Sequence, residues 1–108
     1  MRKYGNRKVE RDGIVFDSVK ECQRYCELKL MQRAGMISDL QLQVPYELIP
    51  TQRIDGKLAE KALNYVADFV YKQNGQTVVE DTKGMRTRDY IIKRKLMLWV
   101  HGIRIVEV

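Results

Sequence analysis

A mixed α/β (α+β) domain is the fold class this sequence predicts, and three observations carry it. Apolar residues alternate with period two over Leu40–Ile49, Leu63–Tyr71 and Thr77–Lys83. Two other stretches, from Ser18 to Gly35 and from Thr87 to Val100, carry helix caps and apolar residues at wider spacing. No internal repeat and no Pro/Ser/Gly-rich linker divides the 108 residues, so one domain over 1–108 is expected, with a basic arm and hairpin over 1–17 and the core over 18–108.

The elements follow in order. Lys8 to Phe16 reads as a hairpin turning at Asp12-Gly13. Ser18-Val19-Lys20-Glu21 fits a capping box, and Gly35 supplies the stop. Between them Val19, Cys22, Cys26 and Leu30 predict the buried helix face. Leu40, Leu42, Val44, Tyr46 and Leu48 alternate in a strand that Pro45 assigns to a sheet edge. Ile54 to Lys61 is expected to be a polar loop around Asp55-Gly56. Leu63–Tyr71 and Thr77–Lys83 form a hairpin about Asn74-Gly75, a strong two-residue turn signal, and Gly84 ends the second run. Thr87 caps a helix reaching about Val100, with Tyr90, Ile91, Met97, Leu98 and Trp99 among its apolar positions. Ile103 to Val106 is a last short strand. After the opening hairpin the order is α-β-β-β-α-β.

Composition narrows the function. With 44% hydrophobic and 31% charged residues, the chain is too apolar and too well mixed for disorder. No apolar run approaches the roughly 18 residues of a membrane span, and the opening residues lack the apolar stretch of a signal peptide. No membrane partner and a cytoplasmic location are therefore expected. Twenty Lys+Arg against fourteen Asp+Glu leave +6, an excess that suits a polyanion. Arg2, Lys3, Arg7 and Lys8 surround Tyr4, and Arg86, Arg88, Lys93, Arg94 and Lys95 face only Asp89. Lys3, Tyr4, Arg7, Arg86, Arg88 and Lys93 are the candidate DNA-binding residues. A solvated basic face is the plainer reading of both clusters. Cys22 and Cys26 read as small core residues, because four zinc ligands are not in view.

The chemistry comes from the hairpin register. With Asn74-Gly75 as the turn, Asp68 lies opposite Asp81 in a non-hydrogen-bonded pair, where Cα atoms approach to about 4.5 Å. Val66, Val70, Val79 and Lys83 share that face, while Ala67, Phe69, Val78 and Glu80 point away. Opposed like charges destabilise a sheet, and ionised acids are costly inside an apolar strand. A hard cation bound by both carboxylates resolves both problems. Lys83, two residues from Asp81, is placed to meet a phosphate or a metal-bound water. A one-residue bulge would bring Glu80 to the working face instead.

The order α-β-β-β-α-β, with Asp68 in the second core strand and Asp81-Thr82-Lys83 in the third, resembles the PD-(D/E)XK nuclease superfamily. Lys3-Tyr4-Gly5-Asn6, Phe16-Asp17-Ser18, Glu21, Tyr65-Val66-Ala67-Asp68-Phe69 and Glu80-Asp81-Thr82-Lys83-Gly84 are similar to a small phage-encoded, Holliday-junction-resolvase-like branch of it. The resemblance implies a restriction-endonuclease-like core and a Mg²⁺- or Mn²⁺-dependent endonuclease acting on DNA. It implies that Asp68 and Asp81 hold the metal, that Lys83 orients or activates the attacking water, and that Glu21 completes the site through the metal or its water. Glu21 also has a capping role open to it, reaching back to the Ser18 amide. Ala67 stands where the superfamily name has proline. Cutting both strands would favour a homodimer, although no exposed apolar stripe marks an interface in the sequence. A non-cutting DNA-binding module of the same fold, or an accessory protein of a phage complex, are the alternatives.

Overall fold

The computed structural model describes residues 7–83 and 85–108. Lys3 and Tyr4 of the basic arm, and the Gly84 stop, lie outside these residues. The chain opens with β1 (Val9–Arg11) and β2 (Ile14–Phe16), paired through Asp12 and Gly13, whose φ of 55° and 76° form the expected tight turn. Helix α1 (Val19–Arg33) follows, its cap made by the Ser18 hydroxyl accepting from the Glu21 amide at 3.1 Å. Then come β3 (Ser38–Ile49), β4 (Gln52–Ile54), β5 (Lys57–Glu60), β6 (Leu63–Gln73), β7 (Gln76–Asp81), α2 (Arg88–His101) and β8 (Val106–Glu107).

The main sheet is mixed, in the order β3-β6-β7-β8, with β3 on an edge as Pro45 requires. Both pairs of the β3-β6-β7 meander are antiparallel, and β8 lies parallel to β7. α1 covers one face, where Cys22, Tyr25 and Leu28 pack with Phe16, Phe69 and Tyr71. α2 covers the other, where Tyr90 and Met97 pack with Tyr65, Ala67, Val70 and Val79. The α+β class and the mixed sheet flanked by helices are thus as the sequence predicts.

Five local expectations are corrected. Residues 54–61 are not a polar loop: β4 and β5 pair across Asp55-Gly56, whose φ of 52° and 77° make the same turn as the other hairpins. Every residue of both strands is exposed, so no apolar alternation announced them. The buried side of α1 runs through Glu21, Cys22, Tyr25 and Leu28, leaving Leu30 and Val19 exposed. Aromatic bulk decides that phase, because Tyr25 fills the space against Phe16 that Cys26 could not. The last strand is shorter and later than Ile103–Val106. On α2, Leu98 and Trp99 face solvent rather than core.

The fifth correction matters most for function. Strict alternation along β6 would put Ala67 opposite to Val70, yet Tyr65 and Ala67 pack in the same cluster as Val70 and Val79, and Val66 is exposed. β3 switches in step: Leu40 and Leu42 pack towards α1, Val44 and Tyr46 towards α2. Both strands reset between these points, and the ladder resumes unshifted, with Leu42↔Phe69 on one side and Val44↔Ala67 on the other. The residues at the reset are Gln43, with φ of 53°, and Asp68. A left-handed non-glycine residue inside a strand carries strain of roughly 1–3 kcal/mol and is held only by its surroundings.

Candidate metal and nucleic-acid site

The hairpin β6–β7 keeps the register read from the turn, Gln73↔Gln76 through to Phe69↔Glu80. Asp68 and Asp81 are the next residues beyond that last pair, and both line one cleft. Asp81 is buried; one carboxylate oxygen accepts a short hydrogen bond from the Tyr65 hydroxyl, whose own pKa burial and this carboxylate push upward. Its other oxygen, Oδ1, is buried and forms an ion pair with the Lys83 ammonium at 3.2 Å. Asp68 accepts from the Thr82 amide at 2.8 Å. Burial holds the Asp68 carboxyl above the usual range, the Thr82 amide opposes that, and the Asp81 charge adds to it. Lys83 lies 4.4 Å from the centre of the Tyr90 ring, a cation–π contact that fixes its stem beside the two acids.

These groups converge in a cleft of ≈ 280 Å³ lined by Tyr65, Asp68, Asp81, Lys83, Asp89, Tyr90 and Lys93. A roomier concavity of ≈ 460 Å³ lies between β1 and α1, lined by Arg7, Arg11, Cys22, Cys26 and Glu27 among others. It contains no pair of acids, so the chemistry belongs to the smaller cleft.

Glu21 reaches the acid pair through an intermediary that sequence reasoning missed. Gln43 Nε2 donates to Glu21 Oε2 at 3.1 Å and lies 3.4 Å from Asp68 Oδ1. The amide must present its nitrogen here, since both neighbours are acceptors. Glu21 is only 8% exposed, and burial, then the Asp68 charge, push its carboxyl up to about 7. The Ser18 half of the capping box forms, but the Glu21 carboxylate turns to Gln43. Among the described residues, no three His, Cys, Asp or Glu side chains form a ready-made metal cage. Two carboxylates with waters and substrate oxygens suffice for Mg²⁺, which binds through one or two protein acids. Asp81 Oδ1, which has a lysine and no backbone or hydroxyl donor among the described residues, is an acceptor of the kind such an ion would use.

Glu80 is excluded from the cleft. It is 1% exposed on the opposite face, where Arg24 grips it with Nε at 2.9 Å and Nη2 at 2.7 Å and the Tyr71 hydroxyl donates to it. β7 pairs with β6 without a register shift, and Asp81 rather than Glu80 lines the cleft with Asp68. Arg24 is therefore the partner of a buried acid.

The basic residues divide. Arg86 pairs with Glu107 at 2.7 Å, and Arg94 with the same carboxylate at 3.0 Å. With the Tyr90 hydroxyl also donating, the Glu107 carboxyl is lowered to about 2. Arg86 is thus partly neutralised, contrary to its expected place among free phosphate contacts. Arg7 and Arg88 are exposed, and Lys93 lines the cleft. Gln43, Asp89, Tyr65 and Tyr90 carried no separate signal: an isolated glutamine in an alternating strand, a helix-capping acid, and two tyrosines that read as core.

Gln43→Ala should leave Glu21 and Asp68 facing one another without a shared donor. The expected result is a further rise in the Glu21 pKa, checked by carboxyl-carbon NMR titration of the metal-free protein. An unmoved titration would mean that Gln43 bears no charge-sharing role.

Among the described residues, no helix is long and apolar enough to cross a membrane. No curated protein matches the chain. Residues 1–102 match DUF1064, a family described only as proteins of unknown function, and the chain belongs to that family.

Proposed function

We propose that this protein is a metal-dependent DNA endonuclease of the PD-(D/E)XK type, with Mg²⁺ or Mn²⁺ held by Asp68 and Asp81. The observation that carries the reading is the buried Asp81 carboxylate, which shares one cleft with Asp68 and has the Lys83 ammonium 3.2 Å from its Oδ1. A divalent ion bound there would polarise a phosphodiester and lower the pKa of an attacking water. Lys83, held over Tyr90, supplies positive charge where the phosphorane oxygens develop it. Glu21, which takes up a proton near neutrality, is placed to hold or accept the proton of a water ordered through Gln43. Tyr65 fixes the Asp81 rotamer, so the ligand oxygen needs no rearrangement. Arg88 and Lys93 on α2 and Arg7 beyond the first hairpin supply cations for the phosphate backbone. Branched phage DNA is the substrate that the family resemblance suggests.

Incubation with linear, flapped and four-way DNA, in chelator and with Mg²⁺ or Mn²⁺, tests this reading. Metal-dependent cleavage is expected, greatest on one of the branched forms. Cleavage of none under either metal leaves a non-cutting DNA-binding module.

The salt dependence of DNA binding gives a second check. Each phosphate neutralised on duplex contributes about 0.9 to the slope of log affinity against log salt. Arg88→Ala and Lys93→Ala should each reduce the slope by about that amount, while Arg86→Ala, already paired with Glu107, should change it less. Equal reductions for all three would mean that DNA displaces Glu107 from Arg86.

A further inference from the structure

The exposed side of α2 carries a stripe that the cleft chemistry leaves unused. Arg88, Ile92, Lys95 and Trp99 stand at steps of four, three and four and so share one helix face. Trp99 is 86% exposed and Ile92 53%. Arg88 and Lys95 are exposed and, among the described residues, form no ion pair. No acid interrupts the stripe. A large aromatic surface left in water costs free energy unless something covers it, and its neighbours state the charge of what does.

We infer that this stripe binds an unpaired strand of nucleic acid, with a base stacked on the Trp99 indole and phosphates on Arg88 and Lys95. The charge pattern selects this occupant. A second copy laying the same face against it would bring two pairs of cations together, which like-charge repulsion opposes. Nucleic acid supplies the anions and the flat π-faces at once, and such stacking tolerates any base. Position supports the same choice. Lys93 lines the cleft and Trp99 lies six residues further along α2, about 9 Å along the axis. Six residues at about 100° each also carry Trp99 roughly 120° round the helix from Lys93, so a strand leaving the cleft would wrap over α2 to reach the indole. The inference rests on the proposed function for its scissile strand, and it specifies the substrate: DNA with an unpaired segment next to the bond that is cut.

Trp99 is the sole tryptophan, so it reports on itself. The test titrates the full chain, in chelator so that nothing is cut, with a fluorescein-labelled oligothymidylate and with a blunt duplex. Dye anisotropy follows binding, and indole emission follows Trp99. The expected result is strong indole quenching by oligothymidylate and little by duplex. Trp99→Ala should weaken oligothymidylate binding by roughly tenfold or more, with Trp99→Phe retaining most of it. Because Trp99 is exposed, both variants should fold, which circular dichroism checks. Binding by anisotropy with unchanged indole emission overturns the inference and leaves the endonuclease reading standing. No binding of either DNA overturns both. Quenching without any metal-dependent cleavage overturns the endonuclease reading alone. Indole emission that shifts with protein concentration, together with a doubled mass, would assign the stripe to a second copy and overturn the inference.

Discussion

Asp81→Asn should abolish cleavage while the fold holds, and Glu80→Ala, one residue earlier, should do the reverse and unfold the protein at a much lower temperature. Asparagine keeps an oxygen for the Tyr65 hydroxyl and loses only the charge, and Lys83 beside it still reaches solvent. Loss of a metal ligand removes the ion's polarising and water-activating roles together, so at least a thousandfold drop in rate is expected. Glu80 is different in kind. Its removal leaves the Arg24 guanidinium without its buried partner and the Tyr71 hydroxyl without an acceptor. Breaking a buried pair from one side costs about 3–5 kcal/mol. Arg24 retains Glu27 at 2.9 Å and some access to water, which brings the expectation to roughly 3 kcal/mol. For a domain of this size that lowers Tm by more than about 10 °C. Arg24→Leu should cost at least as much, since it leaves a carboxylate buried. The double variant combining Glu80→Ala with Arg24→Leu should recover part of the loss, because removing both charges also removes their desolvation cost. Calorimetry of the four proteins gives the coupling. Full stability in Glu80→Ala with lost cleavage would transfer the metal site to Glu80 and overturn the assignment of Asp81.

The contrast shows what the sequence could and could not disclose. Two-residue turns were legible because Asp-Gly and Asn-Gly favour positive φ locally, and Asn74-Gly75 alone carried the register that separates Glu80 from Asp81. The same logic applied to Asp55-Gly56 would have found the β4–β5 hairpin. Its exposed strands lack the apolar alternation that makes a strand visible. The reset at Gln43 and Asp68 was not legible, because a left-handed glutamine is imposed by packing from both layers rather than by its own preference. That single event moved Ala67 to the α2 side, left Val66 in solvent and carried the Gln43 amide to Glu21. Glu21 itself was ambiguous for a related reason. Once Tyr25 and Leu28 define the buried side of α1, the residue one turn before them must enter the protein too. Ion pairs between distant residues, Arg24 with Glu80 and Arg86 with Glu107, left no trace in either local segment.

The metal-free protein should lose stability as pH rises from about 4.5 to about 7, and Glu21→Gln should flatten that loss. Burial and the Asp68 charge raise the Glu21 carboxyl from an ordinary value of 4.5 to about 7. Between those values the folded state holds a proton that the unfolded chain has released. Stability therefore falls with pH across the window, the reverse of a carboxylate stabilised by a salt bridge. A shift from 4.5 to about 7 corresponds to roughly 3 kcal/mol, of which some is relieved by water reaching the cleft. Asp68 shifts in the same direction and adds to the slope, whereas Glu107, lowered to about 2, contributes its change below pH 4.5 and leaves the window clear. Chemical unfolding of parent and Glu21→Gln in chelator, at several pH values between 5 and 8, isolates the Glu21 share as the difference between two curves. The variant should be the more stable protein at pH 8 and nearly equal to the parent at pH 5. A cation would reverse the parent's trend, because it binds the ionised acids of the folded site and hardly the unfolded chain. Millimolar Mg²⁺ should thus stabilise the parent more at pH 8 than at pH 6, and Asp68→Asn should gain much less at either. Equal Mg²⁺ shifts in parent and Asp68→Asn would remove Asp68 from the ligand set. A parent whose stability rises through the window in chelator would mean that Glu21 is ionised without a metal, held by Gln43 as a structural acid rather than a reactive one.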